Sequence, residues 1–241
     1  MLKRVRLGML TPSSNTSLES LTFEMLRGLP EVSAHFGRFS VTEISLRDAA
    51  LGQFDNRKVI EAAKLLADAK VDVIAWNGTS AGWLGMEADV ALCREITAAT
   101  GIPATTSTLA LQDIMQRAGK RTLGMVAPYL DAVMEKIIPN FGKAGMDVIA
   151  ERHLNISVNW DFCEVSEEQL TQMVRETAAQ KPDAITTYCT NLRAAHLVQQ
   201  WEAETGIPVY DTVTTAVWHS LVMAGVDTGR VKGWGGVFEL Q

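Results

Sequence analysis

Three blocks of this chain occur twice, in the same order, and that repetition restricts the fold more than any other feature. "LGMLTPSSNTSLE" (Leu7 to Glu19) returns as "LGMVAPYLDAVME" (Leu123 to Glu135) at an offset of 116. "VDVIAWNGTS", from Val71, returns as "PDAITTYCTN", from Pro182, at an offset of 111, and "TGIPATTSTLALQD" returns as "TGIPVYDTVTTAVW" at an offset of 105. Ordered repeats of this kind mark one structural unit used twice. The alignment sets Pro12 on Pro128, Ser13 on Tyr129, Gly78 on Cys189, Thr79 on Thr190 and Ser80 on Asn191. A cysteine therefore stands in the second copy where the first has glycine.

Apolar β-type runs alternate with segments of helical period: "VRLGML", a helix from about Ser17, "HFGRFSVTEI", a helix from about Arg57, "DVIAW", a helix from about Glu87, then "RTLGMVAP". Such alternation predicts an α/β chain of short parallel sheets flanked by helices. Combined with the repeat, it predicts two pseudo-twofold-related lobes, residues 1–111 with 211–241 forming the first and 112–210 the second. Ligands of open parallel sheets bind beyond the carboxyl ends of the strands, where helix N-termini offer N–H groups. If the lobes face each other, "TPSSNT", "NGTSAG", "APYLD" and "CTNLR" line one cleft between them.

The 241 residues, 47% hydrophobic and 21% charged, are ample for a buried core. The first apolar run breaks at Thr11-Pro12, so neither a signal peptide nor a membrane span is expected and the chain reads as cytoplasmic. A net charge of −6, without a cluster of Lys and Arg interleaved with aromatics, argues against nucleic acid as partner. Cys93, Cys163 and Cys189 are an odd number without CxxC spacing, which disfavours a disulfide framework or a zinc site built on cysteine pairs. HExxH, Walker and GxGxxG patterns are missing, so metal, nucleoside triphosphate and dinucleotide readings lack support. Ser166, before the acidic turn of "EVSEEQL", reads as a helix N-cap.

The phased loops carry the chemistry. Cys189, at a strand-to-helix turn, meets the conditions that make a thiol functional: partial exposure, and a helix N-terminus that favours thiolate. An ordinary thiol pKa of about 8.5 suits proton exchange with carbon near neutral pH. Cys93, inside "DVALCREI", and Cys163, in "WDFCEV", lack that setting and read as structural. Gly78 supplies backbone without a Cβ, followed by the hydroxyls of Thr79 and Ser80, a set of donors fit for one carboxylate. Asn15 is expected to donate its amide to a substrate carboxylate while a neighbouring serine caps the helix. Pro12 and Ser13 in that loop, and Thr190 and Asn191 after the cysteine, complete the expected substrate-binding set. Tyr129 is expected to turn its phenol into the cleft toward an oxyanion. The four histidines, His35, His153, His196 and His219, fall outside the phased loops, and any part played by His153, Asn155 or His196 is left open.

"PSSNTSLE", the "NGTS" loop, "APY" and "CTNLR" resemble maleate cis-trans isomerases and arylmalonate decarboxylases, in the aspartate/glutamate racemase superfamily. The similarity spans nearly the whole chain. It implies two similar α/β lobes with the active site between them, catalysis without metal or organic cofactor, and a small dicarboxylate as substrate. It also implies that Asn15, Tyr129 and Cys189 bind substrate or act catalytically, with Gly78, Thr79 and Ser80 as the carboxylate cradle. Family members commonly self-associate, which leaves a homo-oligomer open here. Racemases and maleate isomerases of this group carry a cysteine in each lobe, whereas this chain has Gly78 in the first. Arylmalonate decarboxylases are similar at that point, while "CTNLR" is closer to the isomerase type.

Three readings follow. The first is decarboxylation of a substituted malonate or related diacid, with one thiol protonating an enediolate from a single face. The second is isomerisation of maleate or a relative, with Cys189 adding to the double bond. The third is a two-lobed carboxylate-binding protein without turnover. The specificity pocket is expected from "FSVTEISLRDAALGQFDN" and "HLNISVNWDF", with Leu46, Phe54, Trp160 and Phe162 hinting at an apolar side group.

Overall fold

The computed structural model describes residues 4–46 and 56–240. Among them, eight strands form two four-stranded, wholly parallel sheets. The first takes the order β2-β1-β3-β4, from β1 (Val5–Pro12), β2 (Val32–Phe39), β3 (Val73–Trp76) and β4 (Ala104–Thr106). The second takes the order β6-β5-β7-β8, from β5 (Thr122–Ala127), β6 (Asp147–His153), β7 (Ala184–Thr187) and β8 (Val209–Asp211). The second sheet thus repeats the first strand for strand, as the sequence repeat demands.

Helices α1 (Leu18–Leu26), α2 (Asn56–Asp68), α3 (Ala81–Leu84), α4 (Met86–Thr100) and α5 (Ser107–Arg117) accompany the first sheet. They are followed by α6 (Asp131–Lys143), α7 (Glu167–Ala178), α8 (Val198–Thr205) and α9 (Thr212–Met223). β3 and β7 are buried throughout, because helices cover both faces of a parallel sheet and the strand must be apolar on both. α2 shows the complementary pattern: Val59, Ala62, Ala63 and Leu66 are buried at helical spacing and the rest faces outward. Ser166 caps α7 as expected, its Oγ accepting from Gln169 N at 3.1 Å.

Gly8 and Gly124, equivalent in the repeat, show why both copies keep "LGM". A Cβ on Gly8 falls 2.9 Å from Val71 Cγ2, and one on Gly124 falls 2.4 Å from Thr177 Cγ2. Neighbouring elements approach each central strand too closely for a side chain.

With each half taken as one sheet and the helices that follow its strands, so that α5 goes with the first and α9 with the second, the halves are joined in three places. α5 lies on α9, where Thr215 Oγ1 donates to the Ser107 carbonyl at 3.0 Å and Thr105 Oγ1 meets His219 Nδ1 at 2.7 Å. α3 lies on α6, with Asn140 Nδ2 donating to the Gly82 carbonyl at 3.0 Å. The third place is the candidate site. The closing segment touches both halves: Arg230 pairs with Glu31, and Gly236 N donates to Glu202 Oε2 at 2.8 Å. Buried apolar side chains of both sheets form one connected core.

One sequence expectation is corrected. The β-type residues of "LNISV" predict a strand there, but β6 ends at His153 and these residues form none; Asn155 among them adopts φ 58°. Its continuation meets the segment after β2 through Ile44 N to the Ser157 carbonyl (2.8 Å) and Asn159 N to the Thr42 carbonyl (3.0 Å), so inter-half bonds replace sheet ladder. No helix among the described residues is long and apolar enough to cross a membrane.

Candidate active site

Each sheet changes winding direction between its two central strands, β1 and β3 in one, β5 and β7 in the other. The loops beyond those strands are where open α/β sheets bind ligands. They carry Pro12 to Thr16, Asn77 to Ser80, Pro128 to Leu130 and Tyr188 to Asn191. The structure brings all four together.

Thr79 Oγ1 and the Tyr129 hydroxyl lie 2.5 Å apart across the join. The Tyr129 phenol lies beside Cys189, close enough with the backbone N–H groups of Asn191 and Leu192 to act on the charge of the thiol. One residue of the first half and two of the second therefore converge on one point. The Tyr129 ring is held edge-on by Trp83 and Phe162, at centroid distances of 5.6 and 5.8 Å. Burial, with the neighbouring thiol, pushes the Tyr129 phenol well above its ordinary value. It is a hydrogen-bond donor throughout the physiological range.

Cys189 departs from expectation in two respects. It is 3% exposed rather than partly open, and the chain after it makes a turn, with a short 3₁₀ segment only from Ala195. Desolvation outweighs the surrounding donors and pushes the thiol up to about 11. The resting group is S–H, not thiolate.

Gly78 has a definite neighbour. A Cβ placed there falls 2.0 Å from Trp76 Cζ2. The indole fills the space of the counterpart cysteine, and its Nε1–H reaches Ser80 Oγ at 3.4 Å.

Asn15 reverses its expected partnership. Its Oδ1 caps α1, accepting from Ser17 N at 3.0 Å and Leu18 N at 2.9 Å, while Nδ2 donates to the Thr190 carbonyl (3.1 Å) and Oγ1 (3.2 Å). No serine caps the helix, because Ser13 and Ser14 bond the backbone of Val41 beyond β2. Asn191 bridges in the opposite sense: Oδ1 accepts from Thr16 N at 3.0 Å, and Nδ2 donates to the Asn159 carbonyl at 2.6 Å. Thr190 Oγ1 donates to the Asn77 carbonyl at 3.1 Å. These buried side chains staple the halves, each bond contributing about 1 kcal/mol.

Sequence reasoning missed three residues. Asn159 is buried with Nδ2 on Ser14 Oγ at 2.7 Å. Tyr188 donates to the Thr79 carbonyl at 3.1 Å and meets Thr108 Oγ1 at 2.8 Å, bracing the cradle loop from below. Trp76 is the third. Tyr188 and Trp76 flank the repeat-matched cysteine and glycine closely, a signal that was available.

Other candidates lie apart. His153 pairs with Asp131 (2.6 Å) and Glu151 (2.8 Å), and His196 with Glu167 (2.8 Å). Asn155 supports the Tyr129 loop, its N–H donating to the Tyr129 carbonyl at 3.2 Å. Phe162 is core beneath Tyr129, Trp160 is 49% exposed, Leu46 is half-buried, and Phe54 lies outside the described residues. Cys163 donates to the Trp160 carbonyl, and burial pushes the Cys93 thiol up to about 12.

The arylmalonate decarboxylase family model matches residues 30–238, and the chain belongs to that family. It is 26% identical over 242 residues to the maleate isomerase of Geobacillus stearothermophilus, covering 95% of each chain. It is 23% identical over 236 residues to the arylmalonate decarboxylase of Bordetella bronchiseptica, covering 97% of this chain and 96% of that one. A solved structure of Nocardia farcinica maleate cis-trans isomerase, a cysteine-to-serine mutant with a covalently bound succinylcysteine intermediate, superposes with a TM-score of 0.89 at 22% identity, covering 98% of this chain and 99% of that one. Both named activities are enzymatic, and this chain is an enzyme of the same family.

Proposed function

We propose that this enzyme decarboxylates a substituted malonate or related dicarboxylate without a cofactor, and that Cys189 is the proton donor. The observation carrying this reading is the pairing of Trp76 with Gly78. The indole takes the place of a first-half thiol, which leaves Cys189 as the thiol at the join of the four loops.

The steps follow from the donors present. One substrate carboxylate is set among Thr79, Ser80 and Tyr129, with Pro12, Ser13 and Asn15 on one side and Thr190 and Asn191 on the other. The Nδ2 donors of Asn15, now on Thr190, turn to that carboxylate. The other carboxylate leaves as CO₂: its C–C bond breaks, and the electron pair enters the retained carboxylate as an enediolate. Hydroxyl donors aimed at that developing charge supply the main stabilisation, typically 10²–10³ in rate for one donor. The Cys189 S–H bond then breaks as the new C–H bond forms, and the thiolate recovers its proton from water. A single acid on a single face makes the product stereochemically uniform.

Maleate isomerisation is the second reading, favoured by the Geobacillus relative and by "CTNLR". It asks Cys189 to lose its proton before attacking the double bond, and burial opposes that loss.

Proton NMR in deuterated buffer with phenylmalonate, methylmalonate and maleate, run beside Cys189→Ala, tests the proposal. The expected result is a deuterated monoacid whose formation requires Cys189. Fumarate from maleate, with the malonates untouched, overturns it in favour of isomerisation.

A further inference from the structure

β7 and β8 pair in parallel with Thr187 opposite Asp211. Cys189 follows Thr187 by two residues, and its N–H donates to the Thr187 carbonyl at 3.1 Å. Adjacent strands stand about 4.8 Å apart, so a charge on Asp211 lies within a few ångströms of the strand end that presents the thiol. The Asp211 carboxylate is fully buried and accepts from Thr187 Oγ1 at 2.6 Å, Val213 N at 2.8 Å and Thr214 N at 3.3 Å. Burial pushes the carboxyl up to about 6, and the three donors hold it below neutrality, so the group is ionised above that pH.

The repeat supplies an internal control. At an offset of 105, the first-half counterpart of Asp211 is Thr106. Thr106 stands opposite Trp76 on β3 and caps α5, accepting from Leu109 N at 3.0 Å. A neutral hydroxyl is therefore sufficient for the structural task of capping. The half with glycine at the cysteine position carries the neutral cap, and the half with the thiol carries the acid.

We propose that Asp211 is a positioning residue acting on Cys189: its buried negative charge opposes a second one on the sulfur and adds to burial in keeping the thiol in the S–H form that donates. This rests on the reading of Cys189 as an acid, since the same charge would hinder a nucleophilic thiolate. The groups facing the sulfur are the Tyr129 phenol and the N–H groups of Asn191 and Leu192, which favour thiolate, with the Tyr188 phenol and Asp211 near it. His196, hydrogen-bonded to Glu167, is the other titratable group near Asp211. When Cys189 gives its proton to carbon, sulfur keeps the electron pair beside Asp211. Repulsion then drives uptake of a proton from water and resets the acid.

The test is the ultraviolet thiolate titration of Cys189, taken as the difference between protein with and without Cys189→Ser, in the parent, Asp211→Asn and Asp211→Thr. The thiolate midpoint is expected to fall by about one pH unit in both variants, the scale of one nearby charge in a buried site. An unchanged midpoint in variants with the parent's circular dichroism overturns the proposal. A second measurement needs no change at Asp211. In carboxyl-labelled aspartate NMR, the Asp211 signal is expected to move as the thiol titrates in the parent and to stay still in Cys189→Ser, because the coupling is reciprocal. A still signal in both also overturns it. Neither readout uses substrate, so a shifted midpoint with no turnover of any diacid would sink the decarboxylase reading and leave the coupling intact.

Discussion

The Trp76 indole stands where a side chain at Gly78 would have to grow: a Cβ there meets Cζ2 at 2.0 Å and Cε2 at 2.2 Å. The ring is buried, lies against Phe39 at a centroid distance of 4.9 Å, and bonds Ser80 through its Nε1–H. The glycine is thus not a vacant cysteine socket. It is one half of a packed pair.

Gly78→Cys is therefore expected to destabilise the protein by about 2 kcal/mol or more, the usual scale of overpacking in a filled core. Adding Trp76→Ala should recover part of that loss by opening space for the thiol. Urea unfolding of the single and double variants measures both. A single variant as stable as the parent would mean that the indole moves aside freely.

Tyr129→Phe keeps the ring between Trp83 and Phe162 and deletes one hydroxyl, the partner of Thr79 beside Cys189. We expect kcat to fall about 10²-fold to 10³-fold with a much smaller change in KM, the pattern of a donor that matters most once charge develops. Steady-state kinetics with the substrate identified by the diacid panel checks this. Equal loss in 1/KM with kcat unchanged would assign Tyr129 to ground-state binding instead.

Asp89 is buried, and desolvation pushes its carboxyl up to about 7 from an ordinary 3.8, with Oδ2 lacking a partner among the described residues. The folded state therefore holds the proton more tightly than the unfolded chain. Its stabilising effect is complete below about pH 4 and is lost as pH rises through 7. Over that span stability should decline by roughly 4 kcal/mol on this account. Asp89→Asn, neutral at every pH, should flatten the slope and exceed the parent in stability at pH 8. Denaturant unfolding at a series of pH values decides; an unchanged slope rules Asp89 out as the cause.

Asn191 spends its carboxamide on Thr16, Ser17 and Asn159 of the joined loops. Asn191→Ala should cost about 2–3 kcal/mol, because buried donors and acceptors on both halves lose their partner. If its place is to bind substrate directly, KM should rise several-fold in protein whose stability is unaltered. Chemical denaturation alongside kinetics separates the two roles.

Much of this architecture was legible in the residues alone. The offsets of 116, 111 and 105 foretold two like sheets, and periodicity located α1, α2 and α4 within a residue or so of their observed starts. Those features depend on neighbours near in sequence, on burial of one helix face, and on the strand run that a covered sheet requires. The loops that meet at the site were legible for the same reason, since strand ends follow from strand order.

What lay beyond reach was how side chains more than a hundred residues apart share one volume. Cys189 was placed at a partly open turn, yet it is buried, and the residue after it, Thr190, is bonded by Asn15 and Asn77 of the first half. Asn15 had both a capping oxygen and a donating amide, and only the bonds of Ser13 and Ser14 to Val41, with Thr190 arriving from the other half, decided that it uses both. The space above Gly78 could be assigned to Trp76 only once β3 and its loop had folded. The sequence by itself determined which backbone elements form and which loops meet, because periodicity and turn chemistry act over a few residues. The protonation of the thiol and the occupant of the missing cysteine's place were decided by tertiary structure, because desolvation and packing depend on atoms that only folding brings together.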